Sequence, residues 1–422
     1  MTDMRGSKLK RGVPAAVLML ISSAVLGLVS CAAPPTQDVV RVPEEAATIS
    51  EAMELVAEGG LVLVAPGTYH EEVLIKKNGV TLRGEDRNEV IIDGEGRRPY
   101  GVVGVASGIT VENLTVTRAT FYGVLVTGMF TEEGGPSARE NAGYTTLDPE
   151  EFPPLQRFLV DHVTATNNGL YGIYAFNAQN GVIRDSYASG SADSGIYVGQ
   201  CRECGILVEG NTAENNAVGF ENANASDSVW IVSNDFSRNR IGMTFLSNYQ
   251  EAFAPQEANW IAGNTISDNI SDRSPSHAQG GWGIGVGLSG ASENVFERNV
   301  ITGNPVAGIS LSSAEDIASS DNRFTANNFE ENGVDLLNAS SRRAAAHGNC
   351  VDGEVTTLPA ALLLDCSRAQ PSTEGEESRP EPPPGMSYLE VPLPPEQESL
   401  RATDSVPPAL PNTVDRPRLA SI

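Results

Sequence analysis

The chain has 422 residues, with 28 Lys and Arg against 54 Asp and Glu, which gives a formal net charge of −26. This excess of negative charge opposes binding to nucleic acid or to anionic lipid, and it suits divalent cations or neutral and cationic glycans. Solubility of a long exposed surface is the plainer explanation of the same charge.

Residues 1–30 have the features of an export signal. Basic residues precede an apolar run that is short for a membrane span. The run ends at Cys31 in the sequence Leu-Val-Ser-Cys, which resembles the lipobox of bacterial lipoproteins. The resemblance implies that Cys31 becomes a lipidated first residue after cleavage. The alternative is a plain secretory signal with an incidental cysteine. Either way we expect an exported protein, with residues 31–47 as a tether.

A short helix is predicted next. Thr48 and Glu51 have the spacing of a capping box, and apolar residues follow at helical spacing. We expect this helix to cap the open strand edges that begin with residue 61. The alternating strands that follow resemble the N-terminal part of pectin lyase-like β-helix proteins, where patterns such as PGxYxExVxI and VTLxG are common.

Further along, the sequence repeats a unit made of an Asn-rich or Ser-rich turn, a glycine and an alternating apolar strand. The repeating glycines are Gly172, Gly195, Gly219, Gly242, Gly283, Gly308 and Gly333. No helical pattern separates the strands, and one unit cannot bury its own apolar face, so neighbouring units must stack. The pattern predicts an all-β fold, a right-handed single-stranded parallel β-helix, over residues 48–366. Asn side chains at the bends are expected to pair along its axis.

Two insertions and a tail interrupt or follow this array. Residues 130–156 are too polar for a core and are expected to form a loop over one face, and residues 271–281 form a second insertion. The tail from residue 367 contains 12 of the 26 prolines, so it cannot build a core and is expected to be disordered or extended.

Three short motifs resemble a narrower group, the exported bacterial β-helix repeat lipoproteins. That group carries GGPS, YGIY and SDAGIYVGQ in this order. Here the corresponding stretches are residues 134–137, 171–174 and 194–200. The resemblance implies a fold and an exported location, and it names no activity.

The cysteines and histidines favour disulfides over metal sites. Cys201 and Cys204 are expected to form a local structural disulfide, and Cys350 and Cys366 a second one near the last turn. The β-helix resemblance extends to a periplasmic copper-assembly protein of nitrous oxide respiration, but copper favours clusters of Met, His and Cys. The four histidines are scattered: His70, His162, His277 and His347. No metal or cofactor is predicted, and only the acidic charge leaves room for calcium.

An aromatic platform is the predicted binding site. Strand alternation points Tyr174, Phe176 and Tyr197 outward on successive turns, with Gln200 beside them. Exposed aromatic faces near carboxylates and amides suit sugar rings. The alternative is ordinary stacking of side chains beneath the loop of residues 130–156.

Catalysis has weaker support from the sequence. The candidates for paired carboxylates are Asp185, Asp193 and Glu221, mainly by analogy with other β-helix enzymes. Mannuronan epimerases on this fold carry Asp-Pro-His-Asp after a Tyr-Gly strand, and that motif does not follow Tyr171 here.

Three functions stay open from the sequence alone. The first is a lipid-anchored envelope protein that binds polysaccharide without catalysis. The second is a carbohydrate-active enzyme, either a lyase or a hydrolase, and the third is a structural surface protein. In each case we expect a monomer attached to the membrane by lipid, with no nucleic-acid partner. Convergence of the acidic residues near the aromatic residues would favour the enzyme.

Overall fold

The computed structural model describes residues 36–131, 135–136, 148–360, 371–372, 381–401 and 403–418. The predicted export signal, Cys31 and Cys366 lie outside these residues. The described helices are all too short to cross a bilayer.

The described chain winds into a right-handed parallel β-helix with three faces per turn, as the repeat predicted. The first face contains Gln37–Val42, Val56–Val64, Thr81–Gly84, the first halves of Ile109–Thr117 and Leu155–Thr166, Ala178–Arg184, Ile206–Glu209, Val229–Val232, Trp260–Ala262, Val295–Glu297, Arg323–Thr325 and Cys350–Val351. The second contains Gly67–Tyr69, Val90–Asp93, the second halves of the same two long strands, Tyr187–Ser189, Thr212–Glu214, Thr265–Ser267, Val300–Thr302 and Asn328–Glu330. The third contains Val73–Ile75, Tyr100–Gly104, Tyr122–Thr127, Ile173–Phe176, Ser194–Arg202, Val218–Ser226, Ile241–Leu246, Ile284–Ser289, Ala307–Ser312, Leu336–Asn338 and Thr357–Leu358.

A few short elements lie outside these faces. They are the antiparallel pair Phe130–Thr131 and Gly135–Pro136, the parallel pair Gln256–Glu257 and Ala291–Ser292, and the 3-10 helices Arg342–Ala344 and Tyr388–Glu390.

The N-terminal helix is confirmed as Ile49–Leu55. The Thr48 side chain accepts a hydrogen bond from the Glu51 backbone N–H, and the apolar side of the helix packs into the core. The predicted tether needs a correction, because Gln37–Val42 is already a strand, paired in parallel with Val56–Val64.

Asparagine ladders hold the corners between faces, as expected from the Asn-rich bends. Between the first two faces, the Nδ2 of each asparagine donates to the Oδ1 of the next at 2.9 Å. This ladder contains Asn211, Asn234, Asn264, Asn299 and Asn327. A second ladder between the second and third faces contains Asn216, Asn239, Asn269, Asn304 and Asn332. Each buried amide is thereby satisfied by its neighbours along the axis.

The second ladder explains why glycine repeats. At Gly219, a Cβ atom would lie 2.6 Å from the carbonyl oxygen of Gly242 and 2.7 Å from Nδ2 of Asn239. A larger residue therefore does not fit between the ladder and the next turn.

The repeating glycine after the second insertion is Gly285 and not Gly283. Gly285 faces the carbonyl oxygen of Gly308 at 2.6 Å, as its predecessors do, whereas Gly283 lies in the preceding bend with φ of +74°. The equivalent position in the last repeat is held by Asp335 in place of Gly333. The insertion had hidden this change of register.

The described part of the tail is extended and lies against the β-helix. Nη1 and Nη2 of Arg240 donate to the backbone oxygens of Pro383 and Pro384, at 2.8 and 2.9 Å. Further along, the side chains of Asn167, Arg87, Asn113 and Arg83 bond the backbone of tail residues 388 to 405.

Candidate functional site

The outward direction of the predicted platform is confirmed, but its exposure is wrong. Ile173 and Ile196 belong to the inner core, while Tyr174, Phe176 and Tyr197 pack in a separate cluster on the outer side of the third face. These three side chains are only 7%, 1% and 2% exposed. A sugar ring has no access to their faces in this arrangement, so their role in binding substrate stays a prediction.

Segments outside the β-helix cover this cluster. Phe152, Ala252 and Phe253 pack against it, and Asn177 Nδ2 donates to the Phe152 carbonyl at 3.0 Å. Gln200 is also buried, and its Oε1 accepts a hydrogen bond from Ala252 N at 3.1 Å. The first insertion therefore lies over one face, as expected, and a loop near residue 252 covers the same cluster.

Two of the three predicted carboxylates converge beside these aromatic residues. Glu221 follows Tyr197 on the next turn of the third face, and Asp193 ends the bend just before Ser194. Ser194 Oγ donates to Glu221 Oε2 at 2.7 Å and lies 3.1 Å from Asp193 Oδ1. His277, from the second insertion, places Nε2 3.3 Å from Asp193 Oδ1. One ligand atom of each of Asp193, Glu221 and His277 lies within 4.8 Å of the others.

Burial determines the protonation of this triad of Asp193, Glu221 and His277. Burial, together with the charge of Asp193, raises the pKa of Glu221 to about 8. Burial lowers the pKa of His277, but the hydrogen bond to Asp193 and the charges of Asp193 and Glu221 outweigh it, so the pKa is raised. Near neutral pH the triad therefore contains a protonated carboxylic acid beside an Asp–His pair.

A third carboxyl group lies close to the triad. Glu251, from the loop after Ile241–Leu246, is 8% exposed, and burial raises its pKa to about 7. Its charge acts on both Glu221 and Tyr197, and burial and that charge raise the pKa of Tyr197 well above its usual value. Among the described residues, Glu251 Oε2 has no hydrogen-bond partner.

Asp185 does not join this site. It lies with Asp161 and His162 at the corner between the first and second faces. There Arg184 donates twice to Asp161 Oδ2, at 2.9 and 2.6 Å, and His162 Nδ1 lies 2.6 Å from Asp161 Oδ1. The ionic partners of Asp161 are thus already in place, and we interpret this group as structural.

A row of half-buried tyrosines leads up to the triad and was not predicted. Tyr100, Tyr122 and Tyr171 lie on successive turns, with ring centroids 5.5 Å apart in each step. The Tyr171 ring is 4.7 Å from that of Tyr197. Each of the three precedes a glycine, so a repeated Tyr-Gly pair was the available signal in the sequence.

Comparisons with known proteins bear on both the fold and the family. Residues 62–276 match the family described as periplasmic copper-binding protein (NosD), a match that spans half of the chain. This chain belongs to the NosD family. Residues 244–366 match a right-handed β-helix region. Among curated proteins, none is significantly similar in sequence.

Solved structures similar to this NosD-family chain support the fold alone. The Dettilon tailspike protein is 16% identical with a TM-score of 0.54, covering 75% of this chain and 62% of that one. The A-module of mannuronan C-5 epimerase AlgE6 from Azotobacter vinelandii is 14% identical, with a TM-score of 0.45 and coverage of 70% and 86%. The DFA-IIIase of Arthrobacter chlorophenolicus A6 is 13% identical, with a TM-score of 0.45 and coverage of 76% and 93%.

The family description implies copper, and the described residues do not fit a copper(I) site. Two described groups have metal-ligand spacing, the triad and the group of Asp161, His162 and Asp185, and each offers one imidazole and two carboxylates. Copper(I) favours sulfur ligands. Cys201 and Cys204 form the predicted disulfide. Cys350 is also disulfide-bonded, so the described cysteines offer no thiolate.

Proposed function

We propose that this NosD-family protein is a periplasmic enzyme that cleaves a glycan by acid–base catalysis at the triad. The observation that carries the proposal is the convergence of Asp193, Glu221 and His277 from three separate parts of the chain. A structural protein needs no such group of buried ionisable side chains, and perturbed acids of this kind are typical of catalytic sites. Convergence near the aromatic residues is also the feature that separates an enzyme from a binding protein.

The roles follow from protonation and distance. Glu221, protonated near neutral pH, donates its proton to the oxygen of the leaving sugar. Asp193, held by His277, attacks the anomeric carbon, and water then releases the sugar with Glu221 acting as base. The close approach of the two carboxyl groups, within 4.8 Å, favours this retaining mechanism, because inversion needs room for a water between them.

The tyrosine row supplies the remaining part of the site. Tyr100, Tyr122 and Tyr171 are half-buried, and they lead along the third face to Tyr197 beside the triad. A chain of sugars stacked on these rings would reach Asp193 with its scissile bond. Attachment to the membrane through Cys31 remains part of the proposal and would keep the enzyme at the cell envelope.

The test is Glu221→Gln, assayed by release of reducing ends from a panel of soluble glycan oligomers. We expect a loss of at least ~100-fold, because a side-chain amide cannot donate the proton. Asp185→Asn is the matched control, since Asp185 lies in the structural group and should leave the rate unchanged. Equal rates for Glu221→Gln and the wild type, or no cleavage of any oligomer, would contradict the proposal.

A further inference from the structure

The charges around the triad restrict the glycan that it accepts. The principal charges acting on Glu221 are those of Asp193, His277 and Glu251. Three carboxyl groups thus meet a single imidazole, and neither Arg nor Lys is among these influences. A uronic acid sugar would bring a fourth carboxylate into this environment without a cation to bind it, which opposes polyuronate substrates.

Two buried polar atoms beside the triad are without partners. Among the described residues, Glu251 Oε2 and Thr244 Oγ1 make no hydrogen bond, and both atoms are buried. Thr244 is the partner of Glu221 on the next turn of the third face. A buried acceptor without a donor costs free energy. A ligand that donates hydrogen bonds at this point would remove that cost, and the side chain of Glu251 adds negative charge.

We infer that the substrate is a glycan with free amino groups, and that Glu251 is the residue that selects it by binding the ammonium group. An ammonium group supplies three donors and a positive charge, which suits both unpartnered atoms. An N-acetylated sugar offers one amide N–H and no charge at the same place. The inference rests on the proposed function only for the location of the site, with Asp193 and Glu221 left to the chemistry.

Binding is the readout that separates this inference from the proposed function. Short glucosamine oligomers, N-acetylglucosamine oligomers of the same length and oligogalacturonates are titrated by calorimetry into the Glu221→Gln protein, which prevents turnover. We expect the glucosamine oligomer to bind at least ~10-fold more tightly than its acetylated counterpart, about 1.4 kcal/mol. Adding Glu251→Gln should abolish this preference and leave binding of the acetylated oligomer unchanged.

Glu257→Gln in the same background is the matched control. It removes the same formal charge from the neighbouring strand, but Glu257 bonds Arg202 and not the site. If Glu257→Gln lowers the preference as much as Glu251→Gln does, the preference reflects general attraction to an acidic protein, and the inference fails. Equal binding of both hexosamine oligomers, or tighter binding of the oligogalacturonate, would also overturn it. Cleavage of acetylated or uronic oligomers by the wild type would then leave the proposed function standing.

Discussion

A single carboxyl group, that of Glu221, links the electrostatics of the site to the stability of the fold. Its pKa is about 8 in the folded chain, against an ordinary value of 4.5. Below the ordinary value, both the folded and the unfolded chain hold the proton, and burial of the group costs least. Between the two values only the unfolded chain releases it. The folded state therefore loses stability from Glu221 as the pH rises through this range.

We expect Glu221→Gln to flatten this pH dependence. The melting temperature of the wild type, relative to that of the variant, should fall as the pH rises from about 5 to about 8, because glutamine stays neutral throughout. Thermal melts of both proteins across this range measure the difference, and Asp185→Asn should follow the wild type. A constant difference between wild type and variant would show that Glu221 ionises normally.

At the scale of residues, the sequence predicted what strand alternation controls. Tyr174, Tyr197 and Glu221 point outward as expected, because a strand alternates its side chains between two sides. Alternation cannot say what lies over the outer side, so the burial of the tyrosines was missed. His277 and Glu251 were missed for a related reason: both lie in segments outside the repeat, where no periodicity fixes a side chain.

The asparagine ladders are the element on which the corners of the β-helix depend. Nδ2 of Asn239 donates to the Ala213 carbonyl at 2.8 Å, and its Oδ1 accepts from both N and Nδ2 of Asn216. All of these groups are buried, so each needs its partner inside the protein. One truncated side chain would leave several donors and acceptors unsatisfied.

Asn239→Ala should therefore lower the free energy of unfolding by at least ~2 kcal/mol. Chemical denaturation measures it directly. Asn328→Ala is the control, because Asn328 is exposed and its side chain bonds only the neighbouring Glu330. Similar losses in the two variants would mean that the ladder adds no more than an exposed asparagine does.

At the scale of elements, the repeat predicted the stacking of turns and the ladders, because both depend on residues that recur at a fixed spacing. It failed where spacing changed. The strand Gln37–Val42 has no glycine or asparagine signal before it, and the second insertion moved the repeating glycine from the expected Gly283 to Gly285.

At the scale of the whole molecule, the contacts of the tail were beyond sequence reasoning. Its composition predicted that it could not form a core, and its described residues have little regular structure. The body nevertheless binds it through the tail's backbone: Arg240 donates to two of its carbonyl oxygens, and Arg87 donates to the Glu398 carbonyl at 3.2 Å. Backbone acceptors are present in every sequence, so no residue pattern in the tail announces these contacts.

The side chains that bind the tail are themselves buried, which makes the tail part of the folded structure. Arg87 and Arg240 are each 2% exposed, and burial lowers the pKa of Arg87 to about 10. Val391 of the tail is 3% exposed and packs close to the body at Gly190. Without the tail, these arginines lose hydrogen bonds to a charged group, each worth about 1.5–3 kcal/mol, and water replaces them only in part.

A chain that ends at Cys366 should therefore unfold at a lower denaturant concentration than the full chain, with a loss of at least ~2 kcal/mol. A chain that ends at Ser405 is the control. It keeps the hydrogen bonds to Arg240, Arg87 and Arg83 and loses the contact of Arg416 with the Trp260 ring, at 3.8 Å. We expect the Ser405 chain to be nearly as stable as the full one, because a single exposed cation–π contact contributes only about 0.5–1 kcal/mol. If both truncated chains were as stable as the full chain, the tail would be an unneeded extension, and the buried arginines would have to find other partners.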